Sequence, residues 1–126
     1  MNPEDLSKFY YCFTKAGNGF VGHGRLYKYL QKAVTKTIKR FDSGNLRYMF
    51  IHFDQVERCR LNTGVRGRLV DRLKFLLDRK QMKGYDVQYI LEQTANLPNE
   101  KDPESDRKSE VHFLCTLYLQ KIRYFN

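Results

Sequence analysis

Apolar residues recur along most of this chain at the three- and four-residue spacing of an α-helix. In the first segment, Leu6, Phe9, Tyr10 and Phe13 follow one another at positions i, i+3, i+4 and i+7. The alternation of apolar and polar residues that is typical of a half-buried strand does not extend over more than a few positions of the sequence. The spacing therefore predicts an all-α fold.

Turn and capping residues divide this pattern into six predicted helices. They cover residues 2–16, 25–41, 45–59, 65–82, 86–94 and 102–125. A chain of 126 residues has the size of one domain and can bury roughly two-thirds of its unfolded surface. We expect a single α-helical domain, residues 1–126, of about six antiparallel helices, built as a helical bundle or a short stack of HEAT-like helix pairs.

Cysteine usage and hydropathy limit the class of protein. Cys12, Cys59 and Cys115 are odd in number and far apart, which argues against a disulfide framework and against a zinc site built on paired CxxC motifs. Cys12 and Cys115 lie on apolar stripes, and we expect both to be buried. No apolar run approaches the roughly 18 to 20 residues of a membrane span. We expect an intracellular protein, cytoplasmic or nuclear, with no membrane partner, metal or other cofactor.

Positive charge is concentrated in the middle of the chain. Residues 25–83 contain 16 Lys and Arg against 5 Asp and Glu, a surplus of +11 that exceeds the +9 of the whole chain. Residues 84–110 carry 3 basic and 7 acidic side chains, so the molecule is expected to be bipolar. A concentrated surplus of this kind favours a phosphate-rich or acidic partner.

The second predicted helix separates this charge from its apolar residues. At 100° per residue, its basic side chains fall within about 80° of arc, opposite Leu30, Val34 and Ile38. A further set of arginines lies on both sides of the turn between the third and fourth predicted helices. The planar guanidinium of arginine is suited to bidentate contact with phosphate. Tyr27, Tyr29 and Tyr48 lie near these charges, as rims of the core or as stacking surfaces for unpaired bases. The candidate nucleic-acid-binding residues are Arg25, Lys28, Lys32, Lys36, Lys39, Arg58, Arg60, Arg66, Arg68 and Arg72.

Two Arg-x₄-His motifs are weaker candidates for catalysis. Arg47 precedes His52, and Arg107 precedes His112, by five positions. The spelling resembles the active motif of the HEPN ribonucleases, small helical bundles in which two such motifs converge on RNA. That resemblance implies that the arginines would stabilise phosphate charge while the histidines move a proton near neutral pH. The alternative is that the histidines are surface or packing residues.

Residues 6–60 contain a second resemblance. Arg25-Leu-Tyr-Lys-Tyr-Leu30, followed after a helix length by Ser43-Gly-Asn-Leu-Arg47-Tyr-Met-Phe50, is similar to a stretch of the middle domain of the eukaryotic cap-binding translation initiation scaffold. Thr14 and Gly17 are similar to the residues that close the preceding helix in that family. The resemblance implies a right-handed stack of antiparallel helix pairs that binds RNA, helicases and other translation factors without catalysis.

Three hypotheses about function follow from these patterns. The first is a non-enzymatic, basic α-helical module that binds RNA or other nucleic acid within a larger assembly. The second is an interaction adaptor that docks an acidic protein partner. The third is a HEPN-like ribonuclease that needs no metal. Neither the preference between RNA and DNA nor the oligomeric state is encoded in a recognisable motif.

Overall fold

The computed structural model describes residues 2–15, 24–51, 61–94 and 105–122, without the side chains of residues 63 and 105–109. Within these ranges the helical pattern forms six α-helices. No strand occurs in these ranges, so the predicted all-α class is confirmed. A 3₁₀ turn, Ile38–Arg40, follows the second helix. The helices are α1 (Pro3–Lys15), α2 (Gly24–Thr37), α3 (Ser43–Met49), α4 (Thr63–Asp78), α5 (Gly84–Gln93) and α6 (Ser105–Lys121).

The helices stack as three pairs in two layers. Successive helices contact each other as α1 with α2, α3 with α4 and α5 with α6, which defines the pairs, although the most extensive contact joins α1 to α3. Further contacts join α1 to α3 and α3 to α5 in one layer, and α2 to α4 and α4 to α6 in the other. The core lies between the layers, where Leu30, Phe41, Leu46, Leu73 and Ile90 are fully buried. Each pair thereby buries its apolar faces against its neighbours.

Helices α2 and α4 run side by side in the same direction. The backbone N–H of Asn62 donates to Gln31 Oε1 at 3.0 Å, and Arg72 Nε donates to the Phe41 carbonyl at 3.0 Å. Both hydrogen bonds join residues 31 positions apart, which is the pattern of two parallel elements. Asn62 also caps α4, because its side chain accepts the Val65 N–H at 2.9 Å. One basic helix is thus fixed against the next along its length.

Three predicted helices extend too far, and one of them is the fourth, which was expected to reach Met82 although α4 ends at Asp78. The second was expected to reach Phe41, but α2 ends at Thr37, and Phe41 is extended, with φ −69° and ψ 130°. Thr35 and Thr37 donate their hydroxyls to the Gln31 and Ala33 carbonyls, a bond that competes with regular helix geometry. Asp42 must then be extended, since it caps α3 by accepting the Asn45 N–H.

The third helix was expected to reach Cys59, but α3 ends at Met49. Met49, Phe50 and Ile51 are all buried, and three successive residues cannot share one face of a helix. The chain therefore leaves helical geometry where the core requires all three. Residues 52–59 of the predicted helix lie outside the described residues.

The burial prediction for Cys12 is wrong. Cys12 is exposed, because α1 turns Leu6, Tyr10 and Thr14 toward the core and leaves Cys12 on the opposite side. Leu114 is only half-buried, at the edge of the α6 face that packs inward. Cys115 is buried as expected, and desolvation raises the pKa of its thiol to about 12.

The end of α4 contains a left-handed residue that is not glycine. Lys80 has φ 56°, its N–H donates to the Leu77 carbonyl, and the Gln81 N–H donates to the Leu76 carbonyl. These two bonds form the Schellman motif, in which glycine is preferred at this position because a side chain is strained there. Lys80 is thus held in this conformation by the turn that follows α4.

We expect Lys80→Gly to raise the free energy of unfolding by about 0.5 to 1 kcal/mol, since it relieves this strain at some cost in unfolded-chain entropy. Urea unfolding followed by circular dichroism measures the change. Gln81→Gly is the matched control, because no positive φ is found at Gln81, and it should give no gain. A Lys80→Gly protein no more stable than the parent would contradict the assignment.

Candidate nucleic-acid interface

Helix α2 presents a basic stripe to solvent. Leu30 and Val34 are fully buried on one side, and no acidic residue occurs between Gly24 and Phe41. The opposite side of the helix consists of exposed basic residues, as predicted from their spacing. They are Arg25, Lys28, Lys32 and Lys36.

The positive surface continues past the end of α2. Lys39 and Arg40 are exposed in the 3₁₀ turn, which packs against α4. Lys39 therefore keeps its predicted exposure although it is not on the α-helix. We define the basic surface as the side chains of Arg25, Lys28, Lys32, Lys36, Lys39, Arg40, Arg68, Arg72 and Arg79.

The solvent face of α4 is divided by charge. Arg68, Arg72 and Arg79 fall within about 40° of arc, on the side next to the 3₁₀ turn. Asp71 and Asp78 are exposed roughly 60 to 120° away, on the side next to α6. On that side Lys74 forms an ion pair with Glu110 of α6. Arg68 lines a pocket together with Asp71 and with Glu110 of α6, so the acidic side of α4 adjoins the basic surface at Arg68.

Arg72 and Arg79 share one aromatic ring. The guanidinium carbon of Arg79 lies 4.2 Å from the centroid of the Phe75 ring, and that of Arg72 lies 5.0 Å from it. Arg72 is oriented by its hydrogen bond to the Phe41 carbonyl. Burial and the nearby charge of Arg79 lower the pKa of Arg72 from its ordinary value. Two like charges are thus held together over a ring that is 41% exposed.

Of the predicted arginines, one is buried and two lie outside the described residues. Arg66 is only 4% exposed, because it lies on the inward face of α4 beside Val65 and Val70. It cannot contact an external phosphate without a rearrangement of the core. Arg58 and Arg60 lie outside the described residues.

The tyrosines are divided between the two layers. Tyr29 is 50% exposed on α2, next to the basic stripe, whereas Tyr27 is half-buried. Tyr48 lies on α3 in the other layer, where it makes an edge-to-face contact with Tyr11, with ring centroids 5.0 Å apart. Tyr48 also lines a pocket with Arg40, at one end of the basic surface, whereas Tyr29 lies on the same helix as the basic stripe.

Arg47, the first residue of the Arg-x₄-His candidates, is engaged within the fold. Its Nε lies 3.4 Å from Oδ1 of the buried Asp86, and its guanidinium carbon lies 4.7 Å from the centroid of the Tyr48 ring. These contacts tie α3 to α5, which is a structural role.

Of the other members of the two motifs, only His112 has a described side chain. His112 is exposed on α6, which packs on α4 and α5. Arg107 lies on the first turn of α6, without a described side chain, and His52 lies outside the described residues. The convergence that the HEPN resemblance implies therefore stays an expectation.

Residues that sequence reasoning missed are Arg40, Phe75 and Arg79. The sequence did contain a signal for two of them, since Arg72, Phe75 and Arg79 follow one another at i, i+3 and i+7 on one helix. Arg40 was missed because, on the predicted second helix, it lies at the edge of the basic stripe. In the 3₁₀ turn its side chain is exposed to solvent.

None of the described helices has the length and hydropathy to cross a membrane. No group of three or more His, Cys, Asp or Glu side chains that could hold a metal ion occurs in the described part of the chain.

No protein-family model matches the sequence, and no curated protein or solved structure is significantly similar to it.

Proposed function

We propose that the protein is a non-enzymatic module that binds RNA or other nucleic acid through the basic surface. The observation that carries this proposal is the continuous run from α2 through the 3₁₀ turn. Residues 25–40 contain six cationic side chains and no carboxylate, namely Arg25, Lys28, Lys32, Lys36, Lys39 and Arg40. At the end of this run, Arg40 lines a pocket with Glu4 and Asp42.

The arrangement of α2 and α4 supports an extended anionic ligand. The two helices are parallel. One hydrogen bond joins Gln31 of α2 to Asn62 at the start of α4, and another joins Arg72 of α4 to Phe41 after the 3₁₀ turn, so the basic residues form one broad surface. Self-repulsion among such charges destabilises the folded protein, and a polyanion relieves it by replacing small counterions. Nucleic acid matches this surface because its charges are regularly spaced along a strand.

Affinity for nucleic acid should fall steeply with salt. If about five of the nine cations of the basic surface contact phosphates, the slope of log K against log salt concentration is about −3.5 to −4.5. Fluorescence anisotropy with labelled RNA and DNA oligonucleotides of increasing length measures the slope. A slope near −1, or affinity that is independent of oligonucleotide length, would contradict the proposal.

An interaction adaptor is the second candidate, because α6 exposes apolar side chains. Phe113 is 66% exposed, and Leu117 and Ile122 are exposed on the same helix, away from the basic surface. An acidic protein segment with apolar residues could contact both regions. A Glu-rich peptide of the same charge as the oligonucleotide separates the candidates, since an adaptor binds it as tightly as nucleic acid and a nucleic-acid module does not.

The remaining expectations from the sequence belong to the same proposal. A location in the cytoplasm or nucleus gives such a module access to RNA or DNA, and the resemblance to the translation initiation scaffold points to work within a larger assembly. The HEPN-like ribonuclease would be established instead by cleavage of single-stranded RNA in chelator that His52→Ala and His112→Ala each abolish.

A further inference from the structure

The basic surface contains exposed aromatic rings as well as charges. Phe75 lies between Arg72 and Arg79 on α4, and Tyr29 lies beside the basic stripe of α2. Both rings are on helices of the same layer, and both are exposed to a degree that is uncommon for rings belonging to a core. A surface that served only to contact phosphates would need the charges alone.

Contacts within the protein position the two arginine side chains around Phe75. Arg72 is held by its hydrogen bond to the Phe41 carbonyl, and Arg79, the residue that follows α4, has its guanidinium carbon 4.2 Å from the centroid of the Phe75 ring. No ion pair joins either guanidinium to a carboxylate within the described ranges. Two neighbouring guanidiniums over one ring offer bidentate donors to a phosphate and flat surfaces to a base.

Exposed rings on a basic surface favour single strands over duplexes as ligands. A duplex keeps its bases stacked inside and presents phosphates to a helical surface of this kind, so an exposed ring gains little from it. An unpaired base can stack on the free part of the Phe75 ring or on a guanidinium plane beside it. Base–aromatic stacking also tolerates any base, so it requires no sequence preference.

We propose that Phe75, with Arg72 and Arg79, forms a subsite that stacks an unpaired base and holds its phosphate, and that Tyr29 provides a second stacking position. The substrate class is then single-stranded nucleic acid. This inference rests on the proposed function, because it assigns the type of strand to the same basic surface.

The test compares a labelled single strand of about 12 nucleotides with its duplex, since a strand of this length covers the site sizes of known single-strand binders. The parent protein should bind the single strand more tightly. Phe75→Leu keeps an apolar side chain on α4 and removes the ring, and it should weaken binding to the single strand about tenfold while changing duplex binding less than about twofold. Tyr29→Leu should act in the same direction.

Phe113→Leu is the matched control, because it removes a more exposed ring from α6, outside the basic surface, and should leave both affinities unchanged. Equal losses on strand and duplex for Phe75→Leu, or no loss on either, would overturn the inference while leaving the proposed function standing. Absence of binding by the parent protein to both ligands would overturn the proposed function itself. Circular dichroism melting of each variant verifies that it is folded.

Discussion

Asp86→Ala should unfold the protein at a much lower denaturant concentration than any substitution on its surface. Asp86 is 1% exposed in the first turn of α5, where its Oδ2 accepts the Ser43 hydroxyl at 2.7 Å and its Oδ1 faces Arg47 Nε. The Ser43 hydroxyl oxygen in turn accepts the Lys83 N–H at 2.9 Å. One carboxylate thus organises the contact between α3 and the start of α5.

The expected loss is about 2 to 4 kcal/mol of unfolding free energy. Removal of one partner of a buried ion pair costs about 3 to 5 kcal/mol, and the smaller figure applies because the Arg47 side chain is one-third exposed. The thermal midpoint should fall by roughly 10 °C for a domain of this size. Differential scanning calorimetry measures both quantities.

Asp86→Asn and Asp71→Ala are the control variants for this result. The amide oxygen of Asn can still accept the Ser43 hydroxyl, so Asp86→Asn should lose less than Asp86→Ala. Asp71 is exposed on α4, and its replacement should change stability by less than about 0.5 kcal/mol. If Asp86→Ala were as stable as Asp71→Ala, the polar contact between α3 and α5 would not hold the layer together.

The second large effect is expected on binding, from Lys32→Glu with Lys36→Glu. Both side chains are exposed on α2, opposite the fully buried Leu30 and Val34. Each phosphate contact contributes about 0.7 to 0.9 to the salt slope, so the loss of two contacts should lower its magnitude by about 1.4 to 1.8. At about 0.1 M salt that change corresponds to roughly 25- to 60-fold weaker binding.

Because neither lysine touches the core, the thermal midpoint of this double variant should stay close to that of the parent. Anisotropy titrations at four salt concentrations give the affinity and the slope together. Retention of the parent slope would show that α2 makes no phosphate contact, and the arginines of α4 would then be the ones to replace.

The sequence predicted the helices well because each of them buries one side. Leu30 and Val34 lie four residues apart with lysines opposite them, so both the helix and its exposed face could be inferred from spacing alone. Helix ends were predicted less well. The end of α3 depends on the burial of Phe50 and Ile51 by other elements, and local spacing contains no record of that packing.

The site could be predicted only in part for the same reason. Arg66 lies three residues before Leu69 and seven before Leu73, on the apolar stripe of α4, so its burial was open to inference. The pairing of Arg47 with Asp86 was not, because 39 positions separate the two residues and no local rule relates them. Such contacts appear only when the layers are assembled.

The most direct measurement compares two double variants of equal net charge. Lys32→Glu with Lys36→Glu lowers the formal charge from +9 to +5, and so does Lys83→Glu with Lys121→Glu, whose exposed lysines lie near the ends of α5 and α6, outside the basic surface. Affinity for one single-stranded oligonucleotide is measured at about 0.1 M salt. If α2 contacts the phosphates, the first variant loses roughly 25-fold or more in affinity and the second less than about threefold. Equal losses in the two variants would contradict a defined basic surface and leave only the attraction of net charge.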